Sequence, residues 1–80
     1  MNQNTNTMRY AIYFVDAENI DINSEDFGYD AVRESAHDHW LGNDIFELSV
    51  QLIQAINSDE VNTENGYIFL TDQLQGIILS

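Results

Sequence analysis

The sequence predicts an α+β fold in which two helices pack on a small antiparallel three-stranded sheet, in the order β-α-α-β-β. The chain has 80 residues, enough for one hydrophobic core, and its hydrophobic fraction of 44% is normal for a globular protein. Apolar residues form strand-like runs near both ends and recur at helical spacing in the middle. We therefore expect a single domain over residues 8–80, preceded by a flexible segment rich in Asn and Thr at residues 1–7.

Three segments rich in β-branched and aromatic residues are predicted to be strands. The first, residues 8–16, is a nearly continuous apolar run, which is typical of a buried strand. The second, residues 67–71, follows Gly66, and a turn at residues 72–75 leads to the third strand at residues 76–79.

Two helices are predicted between the first and second strands. The first runs from residue 26 or 27 to residue 41 and stops at Gly42. Its apolar face is formed by Tyr29, Val32, Ala36 and Trp40. The second helix has Asn43 as N-cap and ends at residue 56 or 57. Apolar residues cover more than half of its circumference, so the helix is expected to form the core, or the core together with a partner contact. If the chain self-associates, Phe46, Val50 and Ile53 are the expected homodimer seam.

Charge is the strongest functional signal in the sequence. Fourteen acidic residues stand against two arginines and no lysine, which gives a net charge of -12. Such a chain repels nucleic acids and anionic membranes, and its self-repulsion destabilises the compact state. The chain has no cysteine and no apolar run long enough to span a bilayer, so we expect a location in the cytoplasm of a bacterial host cell. Solubility alone is the other explanation of the charge.

Four acidic residues spaced four apart form one negative stripe on the predicted first helix: Asp26, Asp30, Glu34 and Asp38. Because like charges at this spacing each destabilise a helix by about 0.2–0.5 kcal/mol, the stripe is a candidate interface. It supplies one charge per ~6 Å, about half the density of a DNA strand. The predicted partner-binding site therefore also includes the acids before the helix: Asp16, Glu18, Asp21 and Glu25. A solvated acidic face without a partner is the alternative.

A short, strongly acidic chain without lysine or cysteine resembles the small DNA-mimic inhibitors of phages and mobile elements. These include anti-CRISPR proteins, anti-restriction proteins and the uracil-DNA glycosylase inhibitor. The resemblance, in size and charge, implies that the chain occupies the basic nucleic-acid-binding surface of another protein or complex. We expect an anti-CRISPR-like inhibitor of a CRISPR-Cas effector, with no enzymatic activity, metal or cofactor. A homo-oligomeric or antitoxin-type module that associates through the second helix is the alternative.

A second resemblance concerns residues 15–20, Val-Asp-Ala-Glu-Asn-Ile. This segment is similar to the first strand of NYN/PIN-like ribonucleases, which are larger parallel α/β domains. The resemblance implies that Asp16 would be a ligand of a divalent metal, with Asn19 beside it. An acidic chain would repel RNA, so a ribonuclease fragment is the lesser alternative. His37 and His39 would point about 200° apart on a helix and are not expected to bind one metal ion.

Overall fold

The computed structural model describes residues 8–79, and the segment predicted to be flexible, residues 1–7, lies outside this range. The α+β class and the presence of two helices are confirmed. In chain order the elements are β1 (Tyr10–Asp16), α1 (Tyr29–Ser35), β2 (Asp38–Gly42), α2 (Ile45–Asn57), β3 (Gly66–Asp72) and β4 (Gly76–Leu79). Short 3-10 turns at Ala17–Asn19 and Thr63–Asn65 follow β1 and precede β3.

The four strands form one antiparallel sheet in the order β2-β1-β3-β4. The predicted three-stranded sheet and the order β-α-α-β-β are therefore wrong, because β2 separates the two helices. β1 lies in the interior of the sheet and pairs over its whole length with β3. Its other edge is covered by β2, in a register that places Tyr10 opposite Gly42.

The two helices cover opposite faces of the sheet. Side chains alternate along β1, so Ala11, Tyr13 and Val15 point to one face, whereas Ile12 and Phe14 point to the other. The first face packs against α1 and its preceding loop through a buried cluster that includes Val32 and Phe69. The second packs against α2 through a cluster that includes Phe14, Ala55 and Val61. These faces are termed the α1 side and the α2 side.

The first helix is shorter than predicted, because its expected C-terminal part is strand β2. Ala36 is extended (φ -60°, ψ 130°), and the backbone N–H of His37 donates to the carbonyl oxygen of Phe14 at 2.8 Å. Trp40 packs on the α2 side, whereas Val32 is buried on the α1 side, so the helical spacing between them is coincidental. Pairing with the free edge of β1 outweighs the helical pattern of this segment.

The other elements lie close to their predicted positions. The N-cap of α2 is Asp44 rather than Asn43, since the Asp44 carboxylate accepts a hydrogen bond from the backbone N–H of Phe46 at 2.8 Å. β3 begins at Gly66, where a Cβ atom would lie 2.5 Å from the ring of Phe14. Of the helices in the described range, none has the length and apolar character that a membrane crossing requires.

An ion pair joins the start of β1 to the end of β3. Nη2 of Arg9 lies 3.0 Å from Oδ2 of Asp72, and Nε of Arg9 donates to the same oxygen at 3.1 Å. Asp72 is only 2% exposed, and its Oδ1 accepts from the backbone N–H of Leu74. The hydrogen bond from Arg9, followed by that from Leu74, lowers the pKa of Asp72. The Asp72 carboxylate is therefore a structural group, stabilised as an anion within the sheet.

Candidate protein-binding surfaces

The segment between β1 and β2 covers the α1 side and carries much of the acidic charge. Ile20, Phe27 and Val32 anchor it in the apolar cluster beneath, which leaves its polar residues on the outside. Six of its acidic residues are exposed and are termed the acidic layer: Glu18, Asp21, Glu25, Asp26, Asp30 and Glu34. All six are among the eight acids predicted to bind a partner. The anchors Ile20, Phe27 and Val32 alternate with these acids along the chain, so the acidic layer lies on the α1 side of the sheet.

The acidic layer is not the continuous helical stripe predicted from the sequence. Asp30 and Glu34 lie on α1, but Asp26 precedes this seven-residue helix and Asp38 is the first residue of β2. Asp38 is half-buried, and its Oδ1 accepts from the backbone N–H of His39 at 2.9 Å. The helix ends before it reaches Asp38, so the charge is distributed over a loop, a turn and a short helix.

The eighth predicted acid, Asp16, lies at the end of β1 and contacts a histidine. Its Oδ2 is 3.0 Å from Nδ1 of His37, whose ring also packs edge-on against Phe14. His39 instead packs against Tyr13, so the two histidines do not converge. Within residues 8–79, no group of three or more acidic or histidine side chains is placed to hold a metal ion. The antiparallel sheet also differs from the parallel sheet that the ribonuclease resemblance implies.

Arg33 is the basic residue of the segment that carries the acidic layer. Its Nη1 lies 3.6 Å from Oδ1 of Asp30, and its guanidinium lies 5.4 Å from the centre of the Tyr29 ring. Both members of this ion pair are exposed, with 54% of the Arg33 side chain and 85% of the Asp30 side chain accessible. Exposed pairs of this kind contribute about 0–1 kcal/mol. The acidic layer therefore retains most of its negative charge for an external partner.

A groove of about 700 Å³ lies on the α1 side, between α1 and β2. Tyr13 and Tyr29 line it with ring centres 6.4 Å apart in an edge-to-face arrangement, and the His39 ring lies 6.0 Å from that of Tyr13. Two residues of the acidic layer, Asp30 and Glu34, also line this cavity, which is termed the tyrosine groove. Sequence reasoning missed it because β2 was predicted as helix. Burial alternates along β2, but the residue types, Asp-His-Trp-Leu, do not alternate between polar and apolar, so the sequence offered no clear strand signal here.

Tyr13 adds no charge to the tyrosine groove. Tyr13 is only 9% exposed, and this desolvation raises the pKa of its phenol above the ordinary value of 10.0. The neighbouring Tyr29 hydroxyl raises it further, whereas Arg33 acts in the opposite direction. A tyrosine is neutral at physiological pH even without this shift, so the negative charge along the groove comes from the carboxylates of α1.

The α2 side presents a surface of different chemistry. Leu48 and Ala55 are buried, while Phe46, Val50 and Ile53 are 75%, 37% and 55% exposed. These three residues, at helical spacings of four and three, are termed the α2 apolar stripe. No charged residue occurs between Glu47 and Asp59. All three stripe residues are exposed, and their contact with a partner stays a prediction.

Comparison of the chain with protein-family models, with curated proteins and with solved structures yields no match.

Proposed function

We propose that this protein is an inhibitor that binds the basic nucleic-acid-binding surface of another protein or complex through its acidic layer. The observation that carries the proposal is the placement of six exposed carboxylates and a single arginine on one side of the sheet. A basic groove that normally holds phosphates offers the complementary charge. Attraction between the two would make association fast and sensitive to salt.

The acidic layer carries more negative charge than α1 alone could provide. The pair Asp30–Glu34 spans about 6 Å along α1, a wider spacing than that of phosphates on one DNA strand. The loop and turn acids add charge beside the helix rather than along it. Within this class we favour an anti-CRISPR-like protein that blocks a CRISPR-Cas effector, which agrees with the resemblance in size and charge.

Two matched triple variants test this function. One changes the exposed glutamates of the acidic layer to glutamine (Glu18, Glu25 and Glu34), and the other changes exposed glutamates outside it (Glu47, Glu60 and Glu64). Both variants lower the net negative charge by the same amount. Each protein is used as bait in a bacterial lysate that contains a CRISPR-Cas effector, eluted with a salt gradient, and the eluate is identified by mass spectrometry.

The proposal predicts that the wild type and the second variant retain a nucleic-acid-binding protein or complex, which moderate salt or added DNA or RNA releases. The acidic-layer variant should release the same partner at lower salt. If both variants lose the partner equally, only total charge matters. If neither loses it, the acidic layer is not the binding surface.

A second candidate function is that of a homo-oligomeric or antitoxin-type interaction module. The exposed α2 apolar stripe favours it, because Phe46 alone is 75% accessible. A stable dimer usually buries about 800 Å² on each partner, so the seam would have to extend beyond the three stripe residues.

Sedimentation of the isolated protein over a range of concentrations tests this candidate. Self-association that Phe46→Gln abolishes would support it. The matched control is Leu74→Gln, because Leu74 is 80% exposed in the turn between β3 and β4. A strict monomer at all concentrations would contradict it.

A further inference from the structure

We propose that the tyrosine groove receives an arginine side chain of the basic partner. The inference rests on the proposed function, because the partner that meets the acidic layer must itself be basic. It adds a specific anchor to a surface that would otherwise attract any cation. The groove is lined by aromatic rings and carboxylates together, and this combination of groups favours guanidinium.

The aromatic rings of the groove offer a stacking surface for a planar cation. Tyr13 and Tyr29 meet at an interplanar angle of 67°, and the His39 ring is tilted by 34° relative to that of Tyr13. Tyr13 is nearly buried and neutral, so it forms an uncharged wall, and a planar cation in the groove would stack mainly on the half-buried Tyr29 ring. Arginine stacks on such rings better than lysine, since its guanidinium is planar and weakly hydrated.

The carboxylates of α1 offer acceptors for the N–H donors of a guanidinium. Asp30 and Glu34 line the groove and lie one helical turn apart, so both carboxylates are within the same region of the rim. A guanidinium presents several N–H donors in a fixed plane and can bond a carboxylate while it stacks on a ring. An ammonium group can make the ion pair but lacks the stacking surface.

Arg33 shows that this site accepts a guanidinium. Its own guanidinium lies 5.4 Å from the centre of the Tyr29 ring and 3.6 Å from Oδ1 of Asp30. The side chain is 54% accessible and its ion pair is exposed, so an arginine from a partner can displace it at little cost. Arg33 is therefore a competitor that lowers the affinity of the groove for an incoming arginine.

The volume of the groove fits this occupant. A cavity of about 700 Å³ lies within the usual range for small-ligand sites and exceeds one arginine side chain. The flanking residues of a partner loop can enter with the arginine. Interface hot spots are often arginines in such pockets, because the surrounding contacts exclude water from the ion pair.

An NMR titration tests the proposal with three capped tripeptides, Gly-Arg-Gly, Gly-Lys-Gly and Gly-citrulline-Gly. The arginine peptide should shift the amide resonances of Tyr13, Tyr29 and His39 and leave those of Trp40 and Val61, on the α2 side, unchanged. It should bind about fivefold tighter than the lysine peptide, as expected for an exposed cation–π contact, and the citrulline peptide should not bind.

Variants with matched charge sharpen the titration. Glu34→Gln should weaken binding of the arginine peptide, whereas Glu47→Gln, on α2, should not. Arg33→Gln should strengthen binding by about threefold, while Gln51→Glu, which makes the same change in net charge on α2, should leave it unchanged.

Diffuse shifts over all acidic surfaces, with equal affinities for arginine and lysine peptides, would overturn the groove proposal. That outcome would leave the proposed function intact if the acidic-layer triple variant still loses its partner in the lysate experiment. Conversely, if that triple variant keeps its partner, the proposed function fails regardless of the peptide result.

Discussion

On the α1 side, a seven-residue helix and a loop cover the sheet, whereas on the α2 side a single capped helix of 13 residues does so. The α1 layer is held by a few apolar anchors and presents carboxylates. The α2 helix packs through Leu48 and Ala55 and presents an uncharged apolar stripe. One sheet therefore supports two surfaces of different chemistry, one acidic and the other apolar.

The two sides of the sheet also differ in their basic residues. Arg9 forms an ion pair with the nearly buried Asp72 within the sheet, and Arg33 lies on the acidic layer beside Asp30. The outward face of α2 between Glu47 and Asp59 has no charge of either sign. Salt should therefore weaken binding through the α1 side and leave binding through the α2 side unaffected or stronger.

The largest expected effect tests how tightly the two sides are packed. Gly66→Ala should reduce the free energy of unfolding by about 2 kcal/mol, because the new methyl group would lie 2.5 Å from the Phe14 ring on the α2 side. Gly28→Ala, just before α1, is the control, since no atom lies within 4 Å of the added Cβ. Urea denaturation measures the free energy of unfolding of both variants. Equal losses would contradict the contrast in packing.

A smaller loss of stability is expected when the carboxylate of Asp72, which lies in the sheet between the two sides, is replaced by an amide. The folded state lowers the pKa of Asp72 below its ordinary value of 3.8, so this ionised group stabilises the protein at pH above that value. Asp72→Asn should therefore lower the melting temperature at pH 7. The deficit relative to wild type should shrink as the pH falls below 3.8 and the wild-type carboxylate is protonated. A deficit that is independent of pH would contradict this role.

The smallest expected effect is the difference in stability between two glutamate variants, one on each side of the sheet. Glu34 lies in the last turn of α1 and four residues after Asp30, where the helix dipole and the neighbouring charge both disfavour an anion. Glu47 lies in the first turn of α2, where the dipole favours one. Glu34→Gln should be more stable than Glu47→Gln by about 0.5 kcal/mol at low salt. Because both variants change the net charge equally, the reverse order would contradict this assignment of the helix ends.

The sequence was informative where one pattern dominated. The continuous apolar run of β1 and the wide apolar face of α2 located these elements to within two residues, and Gly76 marked the start of β4. The segment from Ala36 to Gly42 was not predictable in this way. Its apolar spacing fits a helix, but its structure depends on pairing with β1, a contact with residues more than 20 positions away.

Packing between residues far apart in the chain also limits what the sequence predicts about the candidate surfaces. The acidic residues are visible in the sequence, but the side of the sheet on which they lie is set by the packing of Ile20 and Phe27. The tyrosine groove needs β2 beside β1, which brings His39 to Tyr13, so it could not be inferred once β2 was taken as helix.

Competition between this protein and nucleic acid for the purified target is the most direct test of the central claim. A fixed amount of labelled DNA or RNA bound to the target is titrated with the wild type and with the two triple glutamate variants. We predict that the wild type and the control triple variant outside the acidic layer displace the nucleic acid fully, while the acidic-layer variant needs a much higher concentration. A ternary complex that holds protein and nucleic acid together, or equal displacement by both variants, would contradict it.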